Sequence, residues 1–296
     1  MKHKIDFLVI GAQKSGTTTI YDWLSQHSNI FLPEIKENPY FADDKLYRHG
    51  VRYLDVLYKK YSNQKIIGGA YVNLMYFPYV IDRIRDYNPR MKFIVALRNP
   101  INRAYSAYWY FRSNGLEECD TFEKALELEK ERITGSFTEQ ADFTYIEHGK
   151  YADQLKYYLS AFGPEQLLSF FSDELRSNPE EVLGRVLKFL NLDNQTADFN
   201  LSRDSNSAHK PRFPAFQKFL FSRDNWYKQL YLRVLPNSVR MMIKKTITQK
   251  IISWNRSRFQ YPPMNPDTRR MLVEFYKPYN AQLKKLIGTY PVSWDQ

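Results

Sequence analysis

The spacing of apolar and polar positions divides this chain before any chemistry is considered. Ile5 to Ile10 is an apolar run of strand length, too short for a buried helix or a membrane span. The run breaks at Gly11, and Ile20, Trp23 and Leu24 then fall at helical spacing, which predicts a helix from Thr17. Asn29 to Pro33 reads as a return loop or short strand, and Pro33 and Pro39 exclude a regular helix around residues 34–41. Leu46, Val51, Leu54, Leu57 and Tyr58 are partly periodic and predict a helix over 44–61. A short strand running into a loop follows over 65–74, then a helix from Val80 to Tyr87 and a buried strand from Phe93 to Leu97. Pro100 is placed as the first residue of the next helix, whose buried face carries Ile101, Ala104, Tyr105 and Tyr108.

The second half continues the alternation. Asp120 with Glu123 three residues on predicts a capped helix start, and residues 136–144 read as a polar loop. A helix begins near Gly149 and stops at Gly163-Pro164; a strand follows over 166–171 and an amphipathic helix over 179–190. The final helix, 267–287, is expected to be capped by Asp267 and perturbed by Pro278. The expected class is α/β: a single P-loop-like three-layer domain over 1–296, with a central mostly parallel sheet flanked by helices.

Composition changes this picture in two places. One cysteine, Cys119, excludes an intramolecular disulfide and fits a reducing compartment. No apolar run approaches 18 residues and the N-terminus lacks the core of a signal peptide, so a cytoplasmic, soluble protein is expected. The formal charge of +11 is concentrated: between Ala215 and Gln260, ten lysines and arginines face one acid, Asp224. Residues 216–258 read as a basic helical insert with interleaved aromatics, suited either to a polyanion or anionic membrane surface or to an ordinary solvated face. Nucleic acid is not the expected partner.

Two stretches carry chemistry. Gly11-Ala-Gln-Lys-Ser-Gly-Thr-Thr-Thr19 lies between a strand and a helix, the layout that aims backbone N–H groups and a helix N-terminus at a phosphate. It is not a Walker A loop, because Thr17 follows Gly16 and the lysine sits at position 14. Arg98 stands at the carboxyl end of the second long strand, with Ser106 on the helix that follows. An arginine and a serine so placed can converge on one dianionic group beside the first loop. No metal-ligand cluster, internal repeat or low-complexity tract is legible.

The Gln13-Lys-Ser-Gly-Thr-Thr18 run resembles the 5′-phosphosulfate-binding loop of sulfotransferases, which use 3′-phosphoadenosine 5′-phosphosulfate (PAPS). Arg98-Asn-Pro-x-x-Arg-Ala-x-Ser106 is similar to their 3′-phosphate-binding motif, and Lys36-Glu-Asn-Pro-Tyr-Phe41 to the segment that supplies a glutamate base in heparan-type and bacterial members. The resemblance implies Lys14, Ser15, Gly16, Thr17, Thr18 and Thr19 around the 5′-phosphosulfate, Arg98 and Ser106 on the 3′-phosphate, and Glu37 and Lys14 as catalytic groups. It implies Lys210 or Arg212, in the basic loop 206–214, on the nucleotide phosphates. Product PAP, no metal, and a saccharide or glycolipid acceptor follow from the same resemblance. Arg103 is either a weaker ligand or a surface helix residue, and Tyr151 either contacts ligand or packs in the core. Gly69 stands where many members carry an acid, so the contacts of that loop are not carried over. A P-loop nucleotide kinase and a non-catalytic polyanion-binding protein are the rival readings.

Overall fold

The computed structural model describes residues 4–193, 199–201, 209–211, 256–258 and 261–296. Its centre is a parallel five-stranded sheet built from β1 (Phe7–Gly11), β2 (Ile30–Phe31), β3 (Ile66–Ala70), β4 (Lys92–Leu97) and β5 (Leu167–Phe171), in the order β2-β3-β1-β4-β5. Leu8 pairs with Gly69 on one side and with Phe93 on the other. The described helices are α1 (Thr17–Leu24), α2 (Asp44–Tyr47), α3 (Arg52–Leu57), α4 (Val80–Tyr87), α5 (Pro100–Ser113), α6 (Phe122–Glu127), α7 (Glu129–Arg132), α8 (Phe137–Asp142), α9 (Tyr151–Phe162), α10 (Glu174–Ser177), α11 (Pro179–Phe189) and α12 (Pro266–Ile287).

Strand periodicity sorts the core into two layers. Phe7, Val9, Ile94 and Ala96 face α1 and α11, burying Ile20, Trp23, Leu24, Val182 and Leu187. Leu8, Ile10, Phe93, Val95 and Leu97 face the opposite way, against Val80 and Ile84 of α4 and Leu155 and Tyr158 of α9. Because both faces are covered, the strands read as continuous apolar runs rather than alternating ones. A third cluster joins α5, α6 and the first half of α12 through Ala104, Tyr108, Phe122, Leu272 and Tyr276.

Several expectations shift. The helix expected over 44–61 is two short ones, α2 and α3, separated at Gly50, whose φ of +64° suits the break. The stretch 136–144 is not a plain loop: it contains α8, started by a capping box in which the Ser136 hydroxyl accepts from Glu139 N–H while the Glu139 carboxylate accepts from Ser136 N–H. Thr121 rather than Asp120 caps α6, and Asp120 pairs with Arg112 at 2.6 Å instead. Asn265 rather than Asp267 caps α12, which runs through Pro278 as one helix. A separate antiparallel pair, β6 (His209–Pro211) and β7 (Arg256–Arg258), places Lys210 opposite Ser257; Arg212 and the rest of the basic stretch lie outside the described residues. Among the described residues no helix is long and apolar enough to cross a membrane.

Candidate functional site

The connections from β1 and β4 leave in opposite directions across the sheet, which opens a crevice at the carboxyl ends of these two neighbours. The loop after β1 turns sharply into α1. Gly16, at the N-cap, has a φ of +95°, and a Cβ there would meet Leu175 Cδ1 at 2.6 Å, so both backbone conformation and space require glycine. Lys14 is also left-handed, with φ at 64°, an uncommon state for a side chain of its size and one that gathers at functional sites. Its ammonium lies 4.3 Å from the centroid of the Tyr110 ring. Burial, then the nearby Arg98 and Lys36, lower its pKa to about 8.

Arg98 closes the crevice from the β4 side. Its guanidinium donates to the Lys14 carbonyl at 3.0 Å, and its own carbonyl accepts from the Tyr151 hydroxyl at 2.8 Å. Tyr151 is buried, so its phenol braces the end of β4 from beneath. Asn99 then caps α5, accepting from Ile101 and Asn102 N–H, and sends the helix away with Ser106 on its buried side.

Glu37 enters beside the end of β3. An isolated bridge pairs it with Ala70, and its carboxylate accepts from Val72 N–H at 3.0 Å and from Lys36 Nζ at 2.6 Å. Lys36 Nζ is also 3.3 Å from the hydroxyls of both Thr17 and Thr18. A single ammonium thus spans the start of α1 and the carboxylate. Lys14, Thr17, Thr18, Lys36 and Glu37 all line one cleft of about 1360 Å³, which continues past Tyr71, Asn73, Phe137 and Gln140.

A sulfotransferase domain profile matches residues 4–231. The chain belongs to the sulfotransferase family. Over 96% of its length it is 26% identical to the bifunctional heparan sulfate N-deacetylase/N-sulfotransferase 4 of Mus musculus, covering 30% of that protein. Over 97% it is 24% identical to carbohydrate sulfotransferase 15 of Homo sapiens, covering 54% of it. The chain therefore spans about a third to a half of the curated relatives it matches. The crystal structure of a sulfotransferase from Alicyclobacillus acidocaldarius superposes with a TM-score of 0.69 at 23% identity, covering 99% of this chain and all of that one. This likeness shows the fold.

In this chain, Lys14, Thr17, Thr18 and Glu37 meet on one cleft. Ser15 is buried beneath the loop, and Thr19 lies on α1. Arg98 lies at the end of β4 and Ser106 on the buried side of α5, and both influence the Tyr261 hydroxyl, whose pKa burial raises. Arg103 is not a surface residue: it is wholly buried and donates to the Tyr145 carbonyl. At Gly69 a Cβ would meet the Tyr58 hydroxyl at 2.6 Å, so a side chain there needs the tyrosine to shift. Lys36, Tyr110 and the Val72 amide were not singled out as site groups from the sequence, whereas Tyr151, left between ligand contact and core, is buried in the core. Of these, only Lys36 left a local signal, a cation directly beside the glutamate.

Proposed function

We propose that this sulfotransferase moves a sulfuryl group from PAPS to a hydroxyl or amine of a saccharide or glycolipid by in-line displacement. The observation that carries the reading is the Lys36 ammonium, which touches Thr17, Thr18 and Glu37 at once. It puts the Glu37 carboxylate within one side chain of the start of α1, which supports a base beside the donor. The loop amides and the α1 N-terminus would bind the 5′-phosphosulfate, and Arg98 with Ser106 the 3′-phosphate.

Glu37 accepts the acceptor's proton as its oxygen or nitrogen bonds to sulfur. The bond from sulfur to the 5′-phosphate oxygen breaks, and Lys14 neutralises the charge that gathers on that oxygen. Val72 N–H holds the carboxylate of Glu37 in place while leaving it open to the cleft. Aromatic rings and amides along the cleft, Tyr71, Tyr79, Phe137, Asn73 and Gln140, offer the mixed apolar and hydrogen-bonding wall that a sugar uses. The names of the relatives, which include heparan sulfate and carbohydrate sulfotransferases, point the same way. The basic stretch 216–258 would add contact with an anionic surface, which sedimentation with anionic against neutral liposomes tests.

Thermal denaturation with PAP, with ATP and magnesium, and with neither tests the donor. A ligand at a hundred times its dissociation constant adds about 2.7 kcal/mol. Stabilisation by PAP supports the proposal; stabilisation by ATP with magnesium alone favours a kinase, and no response to either removes the donor assignment.

A further inference from the structure

Beyond its donor end, the wall of the cleft carries more acid than base. Among the described residues that line it there, Asp43, Asp44, Glu118 and Asp142 are set against Lys45 and Arg83. Arg83 is already engaged: it pairs with Asp44, donates to the Phe41 carbonyl at 3.0 Å and lies over the rings of Tyr47 and Tyr79. A polyanionic chain entering here would meet like charge with little to offset it. Asn73, on the floor, points to what the cleft receives instead. It follows Val72, whose N–H holds Glu37, and heads the short turn Leu74–Tyr76. An asparagine in that position ordinarily spends its side-chain oxygen on the amides of the turn, but this side chain makes no cap bond. Its Nδ2 faces Asp142 Oδ1 at 3.5 Å, which leaves Oδ1 without a partner although the residue is only 3% exposed and lines the cleft. A buried carbonyl so placed is matched by a hydrogen-bond donor from outside the chain.

We propose that the acceptor is an uncharged sugar, one hydroxyl of which donates to Asn73 Oδ1, and that uronate- or sulfate-bearing chains are turned away by the acids of the wall. The assignment rests on the sulfuryl-transfer reading above and names its acceptor class. The acids set the sign of the wall without forming a cage for a cation: Asp43 caps α2 through the Lys45 and Leu46 amides, Asp44 holds Arg83, and Asp142 faces the Asn73 amide. The partnerless group is itself neutral, an amide oxygen, and a sugar hydroxyl matches it without bringing charge. Ring faces for the apolar side of a sugar are at hand in Phe137 and in Tyr79, which is 41% exposed and has its hydroxyl tied to the Ala42 carbonyl. Because Val72 N–H holds the base and Asn73 is the next residue, a hydroxyl bound at Oδ1 keeps the ring on the Glu37 side of the cleft.

Transfer of labelled sulfate from PAPS to oligosaccharides of matched length, neutral, uronate-bearing and sulfated, tests the assignment, with a neutral glycolipid in detergent as a further arm. kcat/KM is expected to be about tenfold or more higher on a neutral sugar, free or lipid-linked, than on either anionic chain. Equal or better transfer to an anionic chain overturns the proposal, and so does transfer to none of the panel by protein that binds PAP. Protein that does not bind PAP overturns the donor reading beneath it instead. Asn73→Ala is expected to raise KM for the neutral acceptor about three- to tenfold, with PAP affinity unchanged. An unchanged KM removes Asn73 from the role. The double variant Glu118→Gln, Asp142→Asn is expected to narrow the gap between neutral and uronate-bearing chains; an unaltered gap contradicts the charge argument.

Discussion

Lys14 offers a prediction whose size comes from the free site. Its pKa falls from 10.5 to about 8 because the ammonium is desolvated and faces Arg98 and Lys36. At 1.36 kcal/mol per unit, and discounting for its partial exposure, the charged form is disfavoured by about 2–3 kcal/mol. A bound phosphate would supply the missing counter-charge and return the pKa toward 10.5. At pH 8.5 the free lysine is roughly one-quarter protonated and the liganded one nearly fully so, giving an uptake of about 0.7 proton. Titration calorimetry with PAP at pH 8.5, in buffers of different ionisation enthalpy, measures that uptake directly. Lys14→Met should abolish it and should also reduce turnover about a hundred- to a thousandfold. Proton uptake near zero in the wild type, or the same uptake in Lys14→Met, would refute the argument that Lys14 faces the bound phosphate.

Three further outcomes follow from particular contacts. Gly16→Ala forces an L residue to a φ of +95° and drives its Cβ onto Leu175; a loss of about 1–3 kcal/mol in urea denaturation and weaker PAP binding are expected. Lys36→Met frees Glu37 and the threonine hydroxyls from their shared cation, and should lower kcat more than it raises KM for PAPS. Glu129 is buried and its pKa is raised to about 7, despite accepting from the Ile146 and Glu147 amides. A carboxyl whose folded pKa lies above its unfolded value of 4.5 contributes stability that is full below that value and is lost as pH rises through 7. The difference between denaturation midpoints at pH 5 and pH 7.5 should therefore shrink in Glu129→Gln; an unchanged difference would contradict the assignment.

Where local pattern and local geometry coincide, the sequence is a good guide. The β1 loop and the β4 turn were legible because each joins an apolar run to a helix through a few residues with special demands: Gly16 at positive φ and Pro100 at the first helical position. Cap positions moved by one or two residues because Thr121 and Asn265 compete with neighbouring acids for the same role. The α8 capping box was present as Ser-x-x-Glu and was passed over because its surroundings are polar. Arg103 failed for a different reason. A charged residue within a helix reads as solvated, and the Tyr145 carbonyl that receives it arrives from 42 positions away. Tyr151 is non-local in the same sense: its hydroxyl serves Arg98 only after the sheet has formed and the chain has returned.

The central claim is that Glu37 acts as base beside a PAPS-binding loop. It is tested most directly by measuring acceptor-dependent release of PAP from PAPS, alongside PAP binding, for wild type and Glu37→Gln. The variant is expected to bind PAP as the wild type does and to lose acceptor-dependent turnover about a hundredfold or more. Wild-type turnover in Glu37→Gln, with PAP binding intact, would contradict it.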